Sequence, residues 1–253
     1  MMLDAPKQTP TADPTPLGHT VAALNDTFRH HSATDVMKHA LTQLGDTTLV
    51  SSFGAESVVL LHTLAVTRPD APVLFIDTEM LFAETLVYQL ELSERLGLHN
   101  VRTIRAPAQA LAAKDPDGAL HQRDTDACCA LRKVEPLQNA LAGFDSWITG
   151  RKRFQGGTRQ ALQFFEEEAE TGRIKVNPLA HWDQDDVRTY MIENRLPRHP
   201  LVARGYPSIG CAPCTSTVDD GEDQRAGRWR GETKEECGIH FVNGRMVREK
   251  ETV

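Results

Sequence analysis

Apolar and polar positions along the middle of the chain switch between two periods. Residues 47–52 (Thr-Thr-Leu-Val-Ser-Ser) form a short β-branched run, Phe53-Gly54-Ala55 makes a turn, and apolar positions then recur with helical spacing over 57–66. This order predicts strand, tight turn and helix. The pattern repeats: 71–77 is a proline-flanked apolar strand, 82–96 has helical period and stops at Gly97, and 101–105 is a third short strand. Further on, 129–141 reads as helix, 146–149 as strand, 150–160 as a basic glycine-containing loop, and 185–194 as a helix that Pro197 and Pro200 terminate. The run Glu166-Glu167-Glu168 reads as a solvated segment. Beyond residue 200 both periods fade into glycine, proline and charge. Strands alternating with helices predict an α/β fold: a parallel sheet with helices on both faces, ligand loops at the strands' C-terminal ends, and an irregular C-terminal arm. No repeat or second-domain boundary is visible. Residues 21–240 are therefore expected to form a single domain between a disordered tail at 1–20 and a C-terminal tail at 241–253.

Composition narrows the function classes. The 253 residues are 40% hydrophobic, enough for a substantial core, and the net charge of −7 argues against a general nucleic-acid or anionic-membrane binder. Any positive site must be local. The longest apolar run, 58–66, is interrupted by His62 and is far shorter than the roughly 20 residues of a membrane span. The first twenty residues lack an apolar stretch of the signal-peptide kind, so a cytoplasmic location is expected. Five cysteines do not make the dense, even-numbered set of a secreted disulfide scaffold, which turns attention to metal binding or thiol chemistry.

Two groups of residues carry candidate chemistry. Ser51-Ser52-Phe53-Gly54-Ala55-Glu56-Ser57 sits where a strand hands over to a helix, so backbone N–H groups and hydroxyls can approach an anion there. The loop lacks the Gly-Lys-Ser/Thr ending of the Walker motif. The cysteines form a tandem pair, Cys128-Cys129, at a predicted helix start and a Cys211-Ala212-Pro213-Cys214 motif in a loop. Four thiolates suit tetrahedral zinc or an iron–sulfur cluster, and adjacent cysteines, whose side chains diverge, favour the separate iron corners of a cluster. Cys237 stands apart in a polar segment as a candidate nucleophile, with Lys234 and His240 placed to favour its thiolate.

Taken together, the chain resembles the assimilatory adenylyl-sulfate reductases, the cluster-bearing branch of the phosphosulfate reductase family. The resemblance rests on the Ser51 to Ser57 loop, Phe75-Ile76-Asp77-Thr78-Glu79, Cys128-Cys129-Ala130-Leu131-Arg132-Lys133, Thr149-Gly150-Arg151-Lys152 with Arg159, the stretch from Gly205 to Thr215, Arg225-Ala226-Gly227-Arg228-Trp229, and Glu236-Cys237-Gly238-Ile239-His240. It implies the adenine-nucleotide α-hydrolase-like (pyrophosphate-loop) fold and thiol-dependent reduction of adenosine 5′-phosphosulfate to sulfite and AMP, in sulfate assimilation and cysteine biosynthesis. It also implies a 4Fe-4S cluster on Cys128, Cys129, Cys211 and Cys214. Cys237 would be the nucleophile, assisted by Lys133 and His240. Ser51, Ser52, Phe53, Gly54, Ser57, Asp77, Thr78, Gly150, Arg151, Arg159, Arg225 and Arg228 would hold the substrate. The implied partner is thioredoxin or a glutaredoxin-like reductant, and a homo-oligomer is compatible with the sequence. Two departures from the family pattern stand out: Glu235 adds negative charge beside the nucleophile, and Arg230 follows Trp229 where aromatic residues are common. The alternatives are a reductase of the 3′-phosphorylated substrate and a zinc-stabilised nucleotide-binding module without redox turnover.

Overall fold

The computed structural model describes residues 15–156, 159–232 and 234. Its strands are β1 (Thr47–Ser51), β2 (Val73–Ile76), β3 (Val101–Ile104), β4 (Ser146–Ile148), β5 (Phe165–Glu168) and β6 (Arg173–Val176). They form one sheet in the order β3-β2-β1-β4-β6-β5. Every pairing is parallel except β5 with β6. Residues 169–172 between those two strands are too few for a crossover, so the chain can only fold straight back.

The helices are α1 (Pro16–Phe28), α2 (Ala33–Gln43), α3 (Ser57–Thr67), α4 (Ala83–Leu96), α5 (Ala108–Lys114), α6 (Leu120–Arg123), α7 (Thr125–Cys129), α8 (Glu135–Leu141) and α9 (Gln184–Glu193). All four residues of β2 are buried, and their alternation feeds two cores. Val73 and Phe75 join the larger one with residues of α2, α3, α4 and α9, whereas Leu74 and Ile76 join Leu137, Leu141 and Trp147. Such two-sided burial is what holds a parallel strand in place, at about 1.5–3 kcal/mol per fully buried large apolar side chain. As the sequence predicted, α4 stops at Gly97, whose φ of 64° provides the left-handed C-cap. No helix among the described residues is long and apolar enough to cross a membrane.

Two expectations need correction. Residues 16–20, placed in a disordered tail, form the start of α1, where Thr15 Oγ1 accepts from Gly18 N at 2.9 Å. The Glu166-Glu167-Glu168 run is strand β5, not a solvated segment. Glu168 pairs with Arg173 and Lys175 of β6, and Glu166 with Arg151. The expected parallel sheet with flanking helices is borne out, with β5 added antiparallel at its edge. Helix α1 covers that edge: Asn25 donates to the Phe165 carbonyl at 2.9 Å and accepts from Phe165 N at 3.0 Å. A free edge is thereby closed to further pairing.

Behind the sheet, His199 joins α4 to the 3₁₀ turn Pro200–Arg204. It is 1% exposed. Its Nδ1 accepts from Leu201 N at 3.2 Å, so Nε2 carries the proton and donates to Thr85 Oγ1 at 3.0 Å. Burial pulls its pKa down to about 4, with Glu84 opposing. As pH falls, the unfolded chain takes up this proton near 6.5 while the folded chain resists until about 4. Stability is therefore full above pH 6.5 and declines to a floor below 4, a loss of about 3 kcal/mol from this residue. His199→Gln should flatten the fall between pH 6.5 and 4 in thermal unfolding; parallel curves for the two proteins would refute the assignment.

Candidate active site

The strand order reverses between β1 and β4, and in such sheets the crevice opens at the C-terminal ends of the strands flanking the reversal. A cleft of about 320 Å³ lies there, lined by Val50 and Ser51 of β1, Ile76 of β2 and Trp147 of β4. Its volume is that of a small-ligand pocket. The loop after β1 turns sharply: Phe53 has a φ of 49° and is wholly buried, its ring 5.3 Å from that of Phe75 in a T-shaped contact. A non-glycine residue there stores on the order of 1–3 kcal/mol of strain, offset here by burial of the ring. Gly54 follows, and a Cβ on it would lie 3.2 Å from the Ile209 carbonyl, so the loop reaches its close approach only without a side chain. Ser51 Oγ accepts from Phe53 N, and Ser57 Oγ donates to the Gly54 carbonyl, which fixes the loop's shape.

Ser51, Ser52, Gly54, Ser57, Thr78, Gly150, Arg151, Arg159, Arg225, Arg228 and Lys133 all line this cleft. Two residues named from the sequence, Phe53 and Asp77, are not among those that line the cleft. The Phe53 ring is core. Asp77 closes the turn after β2: its Oδ1 accepts from Glu79 N at 2.9 Å, and its Oδ2 pairs with Arg105 at 2.8 Å. Cys237 and His240 lie outside the described residues. Lys234, the described residue nearest to Cys237 in sequence, has its ammonium against Asp126 at 2.6 Å.

Six cationic side chains line the cleft (Lys133, Arg151, Lys152, Arg159, Arg225 and Arg228) against two carboxylates, Glu56 and Asp223. A chain of net charge −7 thus concentrates positive charge at one mouth. Lys152, quoted in a motif but not singled out as a site residue, is 2% exposed and pairs with Glu56 at 2.9 Å. Burial pulls its pKa down, and Glu56 opposes the shift. Glu56 is the α3 N-cap yet caps no backbone N–H with its side chain.

Beside the cleft the cysteines converge. Asp124 caps α7 by accepting from Ala127 N at 2.8 Å, and Cys128 and Cys129 end that helix, 7% and 5% exposed. A π-helical turn, Ala130–Val134, then buries Arg132 and Lys133. Such turns recur at functional sites. From the other side, Cys211 pairs with Leu81 in an isolated bridge, Ala212 N donates to the Met80 carbonyl at 2.7 Å, and the 3₁₀ turn Ala212–Cys214 brings in the fourth thiol. Burial, then Cys129, Cys211 and Cys214, push the Cys128 thiol up to about 11. None of the four is in a disulfide among the described residues. Burial and Cys211 raise Cys214 too, with Lys133 and Arg228 opposing, and Lys133 and Cys211 both line the cleft.

A buried ion pair that sequence reading missed braces this arrangement. Arg132 Nε and Nη2 donate to Asp115 Oδ2 at 3.1 and 2.7 Å, and Nη1 donates to the Thr78 carbonyl at 3.0 Å. Burial alone would raise Asp115, but Arg132 and the Leu120 N–H hold it below its usual value. Thr78 Oγ1 in turn lies 3.2 Å from Cys211 Sγ. Trp229 is also missing from the sequence-derived site. It is 4% exposed, its N donates to the Cys214 carbonyl at 3.1 Å, and the Arg228 guanidinium lies 4.5 Å over its ring. The Trp229 Nε1 hydrogen has no partner among the described residues.

Comparison with known proteins gives this geometry a family. Residues 46–217 match the phosphoadenosine phosphosulfate reductase domain. The chain is 47% identical over 242 residues to the adenosine 5′-phosphosulfate reductase of Mesorhizobium japonicum, covering 91% of this chain and 94% of that one. It is 41% identical over 211 residues to the phosphoadenosine 5′-phosphosulfate reductase of Gloeobacter violaceus, covering 81% and 87%. Among solved structures, the phosphoadenylyl-sulfate reductase of Candida auris matches with a TM-score of 0.67 at 28% identity, covering 83% of this chain and 100% of that one. The FMN adenylyltransferase of Candida glabrata shares the fold, with a TM-score of 0.53 at 16% identity over 85% and 73% of the two chains. A domain match across most of the length, joined by alignments that run nearly end to end, leaves one conclusion: the chain belongs to the phosphoadenosine phosphosulfate reductase family.

Proposed function

We propose that this protein reduces adenosine 5′-phosphosulfate to sulfite and AMP, with Cys237 as nucleophile and a 4Fe-4S cluster held by Cys128, Cys129, Cys211 and Cys214. The observation that carries the reading is the adjacency of two sites: Lys133, beside the tandem cysteines in sequence, and Cys211 both line the cationic cleft. The name of the Mesorhizobium relative supports the unphosphorylated substrate.

The thiol set fits a cluster. Adjacent cysteines suit the separate iron corners of a cluster better than a single ion. The indole N–H of Trp229, a residue whose backbone N bonds the Cys214 carbonyl, is buried without a partner among the described residues, and an unsatisfied buried donor costs about 1–3 kcal/mol. When bound, the cluster would supply fixed negative charge that orients Lys133 rather than electrons for the reaction.

The chain's own groups then account for the chemistry. Arg225, Arg228, Arg159 and Lys133 neutralise the phosphosulfate, while the loop from Ser51 to Ser57 holds the nucleotide. The Cys237 thiolate attacks sulfur, the S–O bond to AMP breaks, and AMP leaves with that electron pair, forming a cysteine S-sulfonate. A thioredoxin or glutaredoxin-like dithiol attacks Cys237 sulfur, releasing sulfite, and closes its own disulfide; its two electrons carry sulfur from the sulfate to the sulfite oxidation level.

The test compares turnover of the nucleotide with and without a 3′-phosphate, using reduced thioredoxin and anaerobically purified protein assayed for iron and acid-labile sulfide. The unphosphorylated nucleotide should have a kcat/KM higher by about tenfold or more, on brown protein containing both elements. Faster turnover of the 3′-phosphorylated nucleotide would establish the other substrate, to which the Gloeobacter relative's name points. Colourless protein containing zinc would sink the cluster reading.

A further inference from the structure

Gly210, one residue before Cys211, lines the cleft, and what demands a glycine there is the side chain of Arg228. The φ of Gly210 lies outside the left-handed region, so the backbone alone would accept another residue. A Cβ, however, would collide with Nη2 and Cζ of Arg228 and lie 2.8 Å from Nη1, and these three are the nearest atoms it would meet. The same guanidinium lies 4.5 Å over the Trp229 ring. Trp229 is itself held in the left-handed region, with a φ of 48°, while its N donates to the Cys214 carbonyl at 3.1 Å. Strain of this kind persists only where the surroundings over-determine it, and it clusters at ligand sites. The Arg228 backbone is pinned as well: its N donates to the Arg225 carbonyl at 2.8 Å, and it forms an isolated bridge with Thr215. Its Nε is buried and has no hydrogen-bond partner among the described residues. The residue before Gly210, Ile209, carries the carbonyl that Gly54 approaches, so the seat of this arginine and the loop after β1 share one stretch of backbone.

We propose that Gly210 is a positioning residue for sulfonucleotide binding: its bare backbone and the Trp229 ring form a slot that fixes the Arg228 guanidinium, so that it meets an oxyanion of the substrate in one orientation. The proposal rests on the reading of the cleft as the adenosine 5′-phosphosulfate site. Arginine carries five N–H donors in a rigid planar fork that matches paired oxyanion oxygens. The orientation of that plane decides how many of those bonds can form, and a guanidinium fixed beforehand loses less freedom on binding. A buried Nε hydrogen without a protein acceptor is costly, and a substrate oxygen would relieve that cost. A side chain at 210 would push the guanidinium aside while leaving its charge in the cleft. The slot is thus a device of orientation rather than of charge, and a lysine, a point charge with no plane to hold, could not use it.

The experiment is a double-mutant cycle in the iron-loaded full chain: wild type, Gly210→Ala, Arg228→Ala and the double variant, with Arg228→Lys alongside. Each is assayed for iron content and for kcat/KM on adenosine 5′-phosphosulfate. Gly210→Ala should keep its iron and lower kcat/KM about tenfold or more, the size expected when charge-assisted hydrogen bonds are lost. Added to Arg228→Ala, the same alanine should lower kcat/KM by less than about twofold, because the group it displaces is already gone. A merely structural glycine would be equally damaging in both backgrounds. That result would overturn the proposal, as would a wild-type kcat/KM in Gly210→Ala. Should Gly210→Ala lose iron, Arg228→Lys decides alone: the slot predicts a value within about threefold of Arg228→Ala, whereas recovery of the wild-type value would show that charge suffices and overturn the proposal. Wild-type protein that turned over no sulfonucleotide would bring down the reading of the cleft and the slot with it. With wild-type turnover intact, an additive cycle removes only the slot.

Discussion

Cys237→Ser is expected to abolish sulfite release, lowering turnover by about 10³-fold or more, with iron content and AMP affinity nearly unchanged. A hydroxyl is close in size to a thiol but is deprotonated far less readily, so the change removes nucleophilicity and little else. The described cysteines offer poor substitutes. Cys128 and Cys129 end a buried helix turn, and burial together with the neighbouring thiols pushes Cys128 to about 11, well away from reactive thiolate. Cys211 is the rival, since it lines the cleft, but it is 6% exposed and its sulfur lies 3.2 Å from Thr78 Oγ1. Substantial turnover in Cys237→Ser would therefore move the nucleophile to Cys211. Mass spectrometry supplies the complementary reading. Wild-type protein given adenosine 5′-phosphosulfate without reductant should carry one SO3 adduct on the peptide containing Cys237, and the serine variant none.

How well the chain could be read in advance depended on whether each interaction was local. The unit from β1 through the Ser51 to Ser57 loop into α3 was legible because its strand period, its turn and its helix period are contiguous. So was the end of α4, where Gly97 alone marks the cap. Strand β5 was not, because Glu166, Glu167 and Glu168 resemble a solvated run until Arg151, Arg173 and Lys175 are brought opposite them. Strand β6 shows only a brief alternation, Arg-Ile-Lys-Val, and escaped notice for the same reason. In the site, the two cysteine motifs announced themselves through spacing. Asp115 and Arg132, 17 residues apart, give no such sign, and the fold alone makes them partners. Asp77 misled in the opposite direction: it ends the right strand in the right order, yet Arg105 and the turn to Glu79 take up its carboxylate.

Serine at any one of Cys128, Cys129, Cys211 or Cys214 should lower iron, sulfide and activity together, because the proposed cluster would tie the end of α7 to a loop more than 80 residues away in sequence. Metal binding of this kind contributes directly to folding free energy, so the loss should extend past the ligand itself. Two consequences separate cluster loss from general unfolding. First, Lys133 and Cys211 line the same cleft, so a variant that loses the cluster should bind AMP more weakly while its far-UV circular dichroism stays that of the wild type. Second, the variants should not be equal. Cys128, Cys129 and Cys211 are buried, whereas Cys214 is half-buried at the end of a 3₁₀ turn, where water can reach a vacated position. Cys214→Ser is accordingly expected to keep the most iron, and Cys211→Ser, which also breaks the contact with Thr78 and through it the Arg132–Asp115 brace, the least. Full iron in any single variant would strike that residue from the ligand set. Equal losses in all four would show that the Thr78 and Arg132 brace does not act on the thiols.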